Sequence, residues 1–109
     1  MQYGNWDQIE KRNIASGLIR QVFSGEKCTL SLSTMTKEMP DYKPHTHPHE
    51  QILTIISGTA RVTYGNEEII MSAGDLLLVP PEVPHSLTVL SDEPVVNLDI
   101  FAPQRTEYL

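Results

Sequence analysis

The run His45-Thr46-His47-Pro48-His49-Glu50-Gln51 holds three of the four histidines in this chain, and the fourth is His85. Neutral imidazole is a common ligand for divalent transition metals. His45 and His47 stand two apart, beside Pro44 and Pro48. A residue before proline favours extended backbone, and in an extended chain side chains two apart share a face. Gln51 has the same parity and joins them unless Pro48 marks a bulge. His85, from a distant strand, would close the coordination sphere. The expectation is a mononuclear site of His45, His47, Gln51 and His85 inside a small β-barrel. Three imidazoles and one carboxamide oxygen suit a borderline divalent ion: Ni, Zn, Fe, Mn or Co. Four such ligands around an octahedral ion leave two positions for water or substrate, as catalysis requires, whereas a structural zinc site is closed. An isolated His-x-His more often simply faces solvent; the argument rests on the whole string. His49 is the weak member of the run and is expected beside the site or in solvent.

Short strands must position these groups. Period-two patterns and short apolar runs predict strands over Leu18–Phe23, Thr29–Met35, Gln51–Ile56, Thr59–Tyr64, Glu68–Met71, Leu76–Val79, Ser86–Leu90 and Val95–Phe101. Turn residues separate most of them: Ser24-Gly25, Ser57-Gly58, Gly65-Asn66, Ala73-Gly74-Asp75, Pro80-Pro81 and Ser91-Asp92. Tyr64-Gly65-Asn66-Glu67 predicts a tight hairpin. Gly58 is expected to end its strand before a hairpin partner. Lys37–Pro44 is polar, carries two prolines and predicts a loop into the histidines. Only the first dozen residues have any helical character. This is an all-β pattern, an antiparallel sandwich or closed barrel. In Val95–Phe101, Val96, Leu98 and Ile100 share one face; Asn97, Asp99 and Phe101 share the other. An acid beside an aromatic suits a wall of a wet cavity, and Arg105 lies close enough in sequence to fold back over its opening.

A length of 109 residues suits one domain, 1–109, and 39% hydrophobic residues support a folded core. The net charge of -6 disfavours nucleic acid and anionic membranes as partners. It leaves room for an anionic small substrate, since one arginine can hold a carboxylate. Cys28 is the sole cysteine, so no internal disulfide forms; alternation with Leu30 and Leu32 predicts a packed thiol on a strand. The first residues have no basic start or apolar run, so no leader peptide is expected. No stretch approaches the roughly 20 apolar residues of a membrane helix. The expected compartment is the cytoplasm. Glu67-Glu68 and Asp92-Glu93 read as solvated turn residues rather than an acid/base pair.

Two spacings carry a family resemblance. His45-x-His47-x3-Gln51-x6-Gly58 resembles the first motif of the cupin superfamily, and Gly74-x5-Pro80-x4-His85 resembles the second. The resemblance implies a double-stranded β-helix, a jelly-roll-like barrel, with His45, His47, Gln51 and His85 as metal ligands. It further implies a homodimer paired through its sheets. Three positions depart from the pattern: Gln51 stands where most cupins have Glu, Glu82 where Gly is usual, and Val89 where Asn is common. The first gives an all-neutral ligand set.

The segment Asp99-x-Phe101-Ala-Pro-x-Arg105-x-Glu-Tyr-Leu109 resembles the C-terminal signature of the small cupins of pectin and alginate degradation. These convert unsaturated monouronates to linear keto forms and also use a His, His, Gln, His site. Trp6 and Gly17-x-x-Arg20 are similar as well. The resemblance implies that Asp99, Phe101 and Arg105 serve the active site. Read without it, Asp99 is a hydrogen-bonded strand end and Arg105 a surface ion pair. The leading expectation is therefore a metal-dependent enzyme acting on a small sugar acid. Two alternatives remain: a metal-dependent dioxygenase of quercetinase type, and a barrel that binds a sugar or metabolite without turnover.

Overall fold

Described over all its residues, Met1–Leu109, the chain in this computed structural model forms nine antiparallel strands in two sheets. They are β1 (Arg12–Ala15), β2 (Leu18–Ser24), β3 (Thr29–Met35), β4 (Glu50–Ser57), β5 (Thr59–Tyr64), β6 (Glu67–Ser72), β7 (Leu76–Val79), β8 (His85–Val89) and β9 (Val95–Ala102). One sheet has the order β1-β2-β3-β9-β4-β7; the other is β6-β5-β8. The only helical pieces are two single 3-10 turns, Trp6–Gln8 and Thr106–Tyr108. The all-β expectation holds, and all eight predicted strands form.

The missed element is β1. It offers one large apolar side chain, Ile14, in four residues, and it exists because the turn before Leu18 folds it back onto β2. The relation of β4 to β5 also corrects the expectation. Gly58 does not begin a hairpin, because β4 pairs with β7 and β9 while β5 pairs with β6 and β8. The chain instead crosses from one sheet to the other at Gly58. A Cβ there would lie 2.6 Å from the Pro94 oxygen and 2.8 Å from Val95 Cα, and φ is +83°. Only glycine suits so close a crossing. The true hairpin is β5–β6, closed by Gly65-Asn66 as expected.

The facing sides of the two sheets supply one apolar cluster. Leu18, Met35, Leu53, Ile55 and Val95 come from the larger sheet, and Ala60, Val62, Met71 and Val89 from the smaller. Burying each of the larger aliphatic side chains is worth roughly 1.5–3 kcal/mol, so this cluster dominates the fold's stability. Cys28 is not part of it. The residue precedes β3 and is exposed, because its carbonyl closes a turn to the Gly25 N–H at 2.9 Å. No helix is long and apolar enough to cross a membrane.

Candidate metal centre

Beyond the apolar cluster the same inner faces turn polar. Gln51 on β4 pairs with Phe101 on β9, which pairs with Thr29 on β3; Leu53, Asp99 and Ser31 form the next row, and Ile55, Asn97 and Ser33 the next. Gln51, Phe101, Leu53, Asp99, Asn97 and Ser33 of these rows wall a cavity of about 530 Å³ that also reaches His45, His85, Arg20, Arg105 and Tyr108.

His45 and His47 are not on β4. They lie in the segment before it, and Pro48-His49 bends the chain between His47 and Gln51. The imidazoles converge for a different reason than strand parity. His45 and His85 exchange backbone hydrogen bonds, with N···O distances of 3.0 and 3.1 Å, and this isolated bridge joins the loop to β8. Their rings then lie 4.3 Å apart between centroids. One ligand nitrogen from each of His45, His47 and His85 falls within a single 4.8 Å cluster, which could bind a metal ion.

The hydrogen bonds fix which atoms face one another. His47 Nδ1 donates to the His49 carbonyl at 3.1 Å, and His85 Nδ1 donates to the Val83 carbonyl at 2.8 Å. Both Nε2 atoms are therefore lone-pair acceptors in the neutral rings, yet they stand 3.2 Å apart. Gln51 adds a third lone pair. Its Nε2 donates to Asp99 Oδ1 at 2.8 Å, which turns Oε1 toward His47 Nε2 at 2.9 Å. Three acceptor atoms crowded together with no proton to share repel one another unless a cation lies among them. This donor set, neutral nitrogen plus carboxamide oxygen, fits a divalent transition ion.

Electrostatics keep the donors available. Burial and the neighbouring imidazoles push His45 down to about 4. Burial likewise lowers His47 and His85, so all three stay neutral at pH 7. His49 is buried but contributes its main-chain oxygen, which orients His47.

Asp99, Phe101 and Arg105 all line this cavity. Asp99 faces the cavity, and burial pushes its carboxyl up to about 6 despite donation from Gln51 and Asn97. Phe101 is buried edge-on to His47, with ring centres 5.5 Å apart. Arg105 folds back so that its guanidinium carbon lies 4.7 Å from the centre of Phe101. The tail is held by Arg105 N–H donating to Thr29 Oγ1 at 2.9 Å, and by Arg12 donating to the Tyr108 carbonyl. Arg20 and Tyr108 also line the cavity; both lie in segments that carry the family likeness, but neither was given a role from sequence. Arg20 shares strand parity with Leu18 on β2, a signal that it points inward. Tyr108 lies in the C-terminal segment that carries the likeness, and its ring meets Phe101 and Arg20 through the folded tail.

Comparison with known proteins agrees with this architecture. An RmlC-like cupin from Shewanella frigidimarina is 23% identical, with a TM-score of 0.85, and the match covers 100% of this chain and 96% of that one. KdgF from a Halomonas species is also 23% identical, with a TM-score of 0.84 and coverage of 94% and 95%. An oxalate decarboxylase from Bacillus subtilis is 22% identical at a TM-score of 0.73, with 90% of this chain matching 28% of that one. At these identities the likeness speaks for the fold. No curated protein is matched by the sequence. The family profile described as the cupin domain matches residues 32–101. Two antiparallel sheets, a three-histidine cluster at one end of their interior and a profile match over most of the length lead to one assignment: the chain belongs to the cupin family.

Proposed function

We propose that this cupin is a metal-dependent isomerase that opens an unsaturated monouronate and converts the resulting enol to a ketone. His45, His47, Gln51 and His85 would hold the ion, and Asp99, Phe101 and Arg105 would serve the substrate. One arrangement carries this reading. The buried carboxyl of Asp99, raised to about 6, is hydrogen-bonded to Gln51 at 2.8 Å and shares a cavity with Arg105. An acid poised near neutrality suits proton transfer in either direction. The likeness of the Asp99–Leu109 segment to the uronate-converting cupins points the same way.

The chemistry is a balanced isomerisation. The hemiacetal hydroxyl at C1 loses its proton, the bond from C1 to the ring oxygen breaks, and C1 becomes an aldehyde. The electron pair leaves as an enolate on the ring oxygen, and C4 then takes a proton to give the ketone. Asp99 can accept the first proton and return one to C4. Arg105 binds the carboxylate, and Phe101 packs the sugar face. A divalent ion bound here supplies Lewis acidity toward a substrate oxygen.

The experiment is the loss of ultraviolet absorbance of an unsaturated monouronate, followed with metal-loaded protein and with a uronate-converting cupin as positive control. Acceleration that disappears in Asp99→Asn is expected; no acceleration by the loaded wild type removes the proposal.

A homodimer is part of the same proposal. Ile52, Leu76 and Leu78 point outward from β4 and the edge strand β7, with Leu76 71% and Leu78 52% exposed. Ile52 pairs with Ile100 on one side and Leu78 on the other, which makes a continuous apolar row. A second copy laid on this face would cover it, and Leu78→Glu should shift the sedimenting species to a monomer.

A further inference from the structure

The cavity has a charge opposite to that of the molecule. The chain carries a net -6, yet Arg20, Lys43 and Arg105 all line this cavity and Asp99 is its only acid. The two arginines are not equivalent. Arg105 already donates its Nε to Glu107 at 2.7 Å and is ion-paired there. Arg20 takes part in none of the chain's ion pairs, and its buried Nε has no hydrogen-bond partner. A buried guanidinium N–H without an acceptor is costly.

Position explains why this cation is kept. Arg20 projects inward from β2, opposite Ser33 of β3. Its guanidinium carbon lies 4.1 Å from the centre of the Tyr108 ring, and the guanidinium carbon of Arg105 lies 4.1 Å from the same point. One aromatic ring thus fixes both forks within a small molecule's reach of each other. A planar guanidinium held this way loses little freedom on gripping a carboxylate.

We propose that Arg20 is a carboxylate-binding residue of this cavity that joins Arg105 in holding a small organic acid, and that its uncommitted N–H groups make it the stronger of the two contacts. This deepens the uronate reading and rests on it for the identity of the sugar, but not for the anion chemistry.

The test is calorimetric titration of metal-loaded protein with D-galacturonate and, separately, with its neutral methyl ester. The wild type should prefer the acid. Arg20→Ala should weaken acid binding by about tenfold or more while leaving the ester nearly unchanged, as expected for loss of a charge-assisted contact. Arg20→Lys should recover part of the preference. Arg20→Met keeps the apolar stem against Tyr108, so it reports loss of charge if Arg20→Ala unfolds. Equal weakening of acid and ester in Arg20→Met would mean that Arg20 only positions Tyr108, and would overturn the proposal. So would a wild type that binds both alike or neither, or variants with unaltered acid preference. Turnover is a separate readout. A protein that prefers the acid through Arg20 but opens no unsaturated ring keeps this inference and loses the isomerase.

Discussion

Strands β3, β4 and β9 each run from one kind of interior to another. Toward one end their inward residues are Met35, Ile55 and Val95, packed with Val62 and Met71 of the smaller sheet. Toward the other they are Thr29 and Ser31, Gln51, and Asp99 and Phe101, of which Gln51, Asp99 and Phe101 line the cavity. The backbone pairing is the same throughout; only the side chains change. At the apolar end, transfer from water stabilises the fold. At the polar end, buried acceptors face one another and an arginine nitrogen goes unpaired, so that region draws on the stability of the other.

The strongest way to break this division is a pair of substitutions. Ile55→Ala removes a side chain that is 1% exposed and should cost about 2–5 kcal/mol in chemical denaturation. Its metal content per folded molecule should not change. His47→Ala should do the reverse, abolishing bound metal by elemental analysis while costing the metal-free protein much less than Ile55→Ala. Equal destabilisation by both would mean that the polar end is itself structural.

Acid should act on the polar end next. His45, His47 and His85 have folded pKa values below that of a free imidazole, with His45 at about 4. The unfolded chain therefore binds more protons, and stability present above pH 6.5 drains away as the pH falls toward 4. Asp99 opposes this in the same window, one group against three. The metal-free protein should melt roughly 5 °C or more lower at pH 4.5 than at pH 7.5. A flat profile would show that the imidazoles are not held neutral.

Asp99 has the opposite sign. Its folded value of about 6 exceeds the ordinary 3.8, so the native state binds more protons between these values and loses stability as the pH rises through them. Asp99→Asn removes that penalty. At pH 7 the variant should be more stable by roughly 3 kcal/mol, with the gain gone near pH 4, while the proposed uronate turnover is lost. A loss of stability at pH 7 would mean that the carboxylate is held by its hydrogen bonds more than burial opposes it.

The division also explains what the sequence could and could not reveal. Strands such as Thr29–Met35 and Val95–Phe101 were legible because alternation depends on one residue and its neighbours. The inward set Asn97, Asp99 and Phe101 was legible for the same reason. The histidine positions were legible as a spacing, but not as a geometry: His45 reaches the cluster through a backbone bridge to His85, forty residues away in the chain. Arg20 and Tyr108 were each legible within a segment that carries the family likeness, but their contact was not, because it forms only when the folded tail meets β2. The turn at Cys28 misled because its alternation with Leu30 and Leu32 continues past the end of the strand.

The smallest effect should come from Glu82, which holds φ at +66° where glycine is usual in the resembling family. It follows Pro81, and the Val83 N–H reaches the Pro80 carbonyl at 3.3 Å. Proline then a residue at positive φ is the pattern of a type II turn, whose third position favours glycine. A side chain there costs about 1–2 kcal/mol, whereas glycine gives back part of that gain through a freer unfolded chain. Glu82→Gly should therefore raise stability by about 0.5–1 kcal/mol. Metal affinity should not move, because the turn serves the histidines through its main chain alone. Glu82 N–H donates to the His47 carbonyl at 2.9 Å, and Val83 accepts from His85 Nδ1 at 2.8 Å. Glycine retains both contacts. If metal affinity falls together with a gain in stability, the strain at Glu82 is what presses the two imidazoles into place, and the polar end is tuned by its backbone as well as by its ligands.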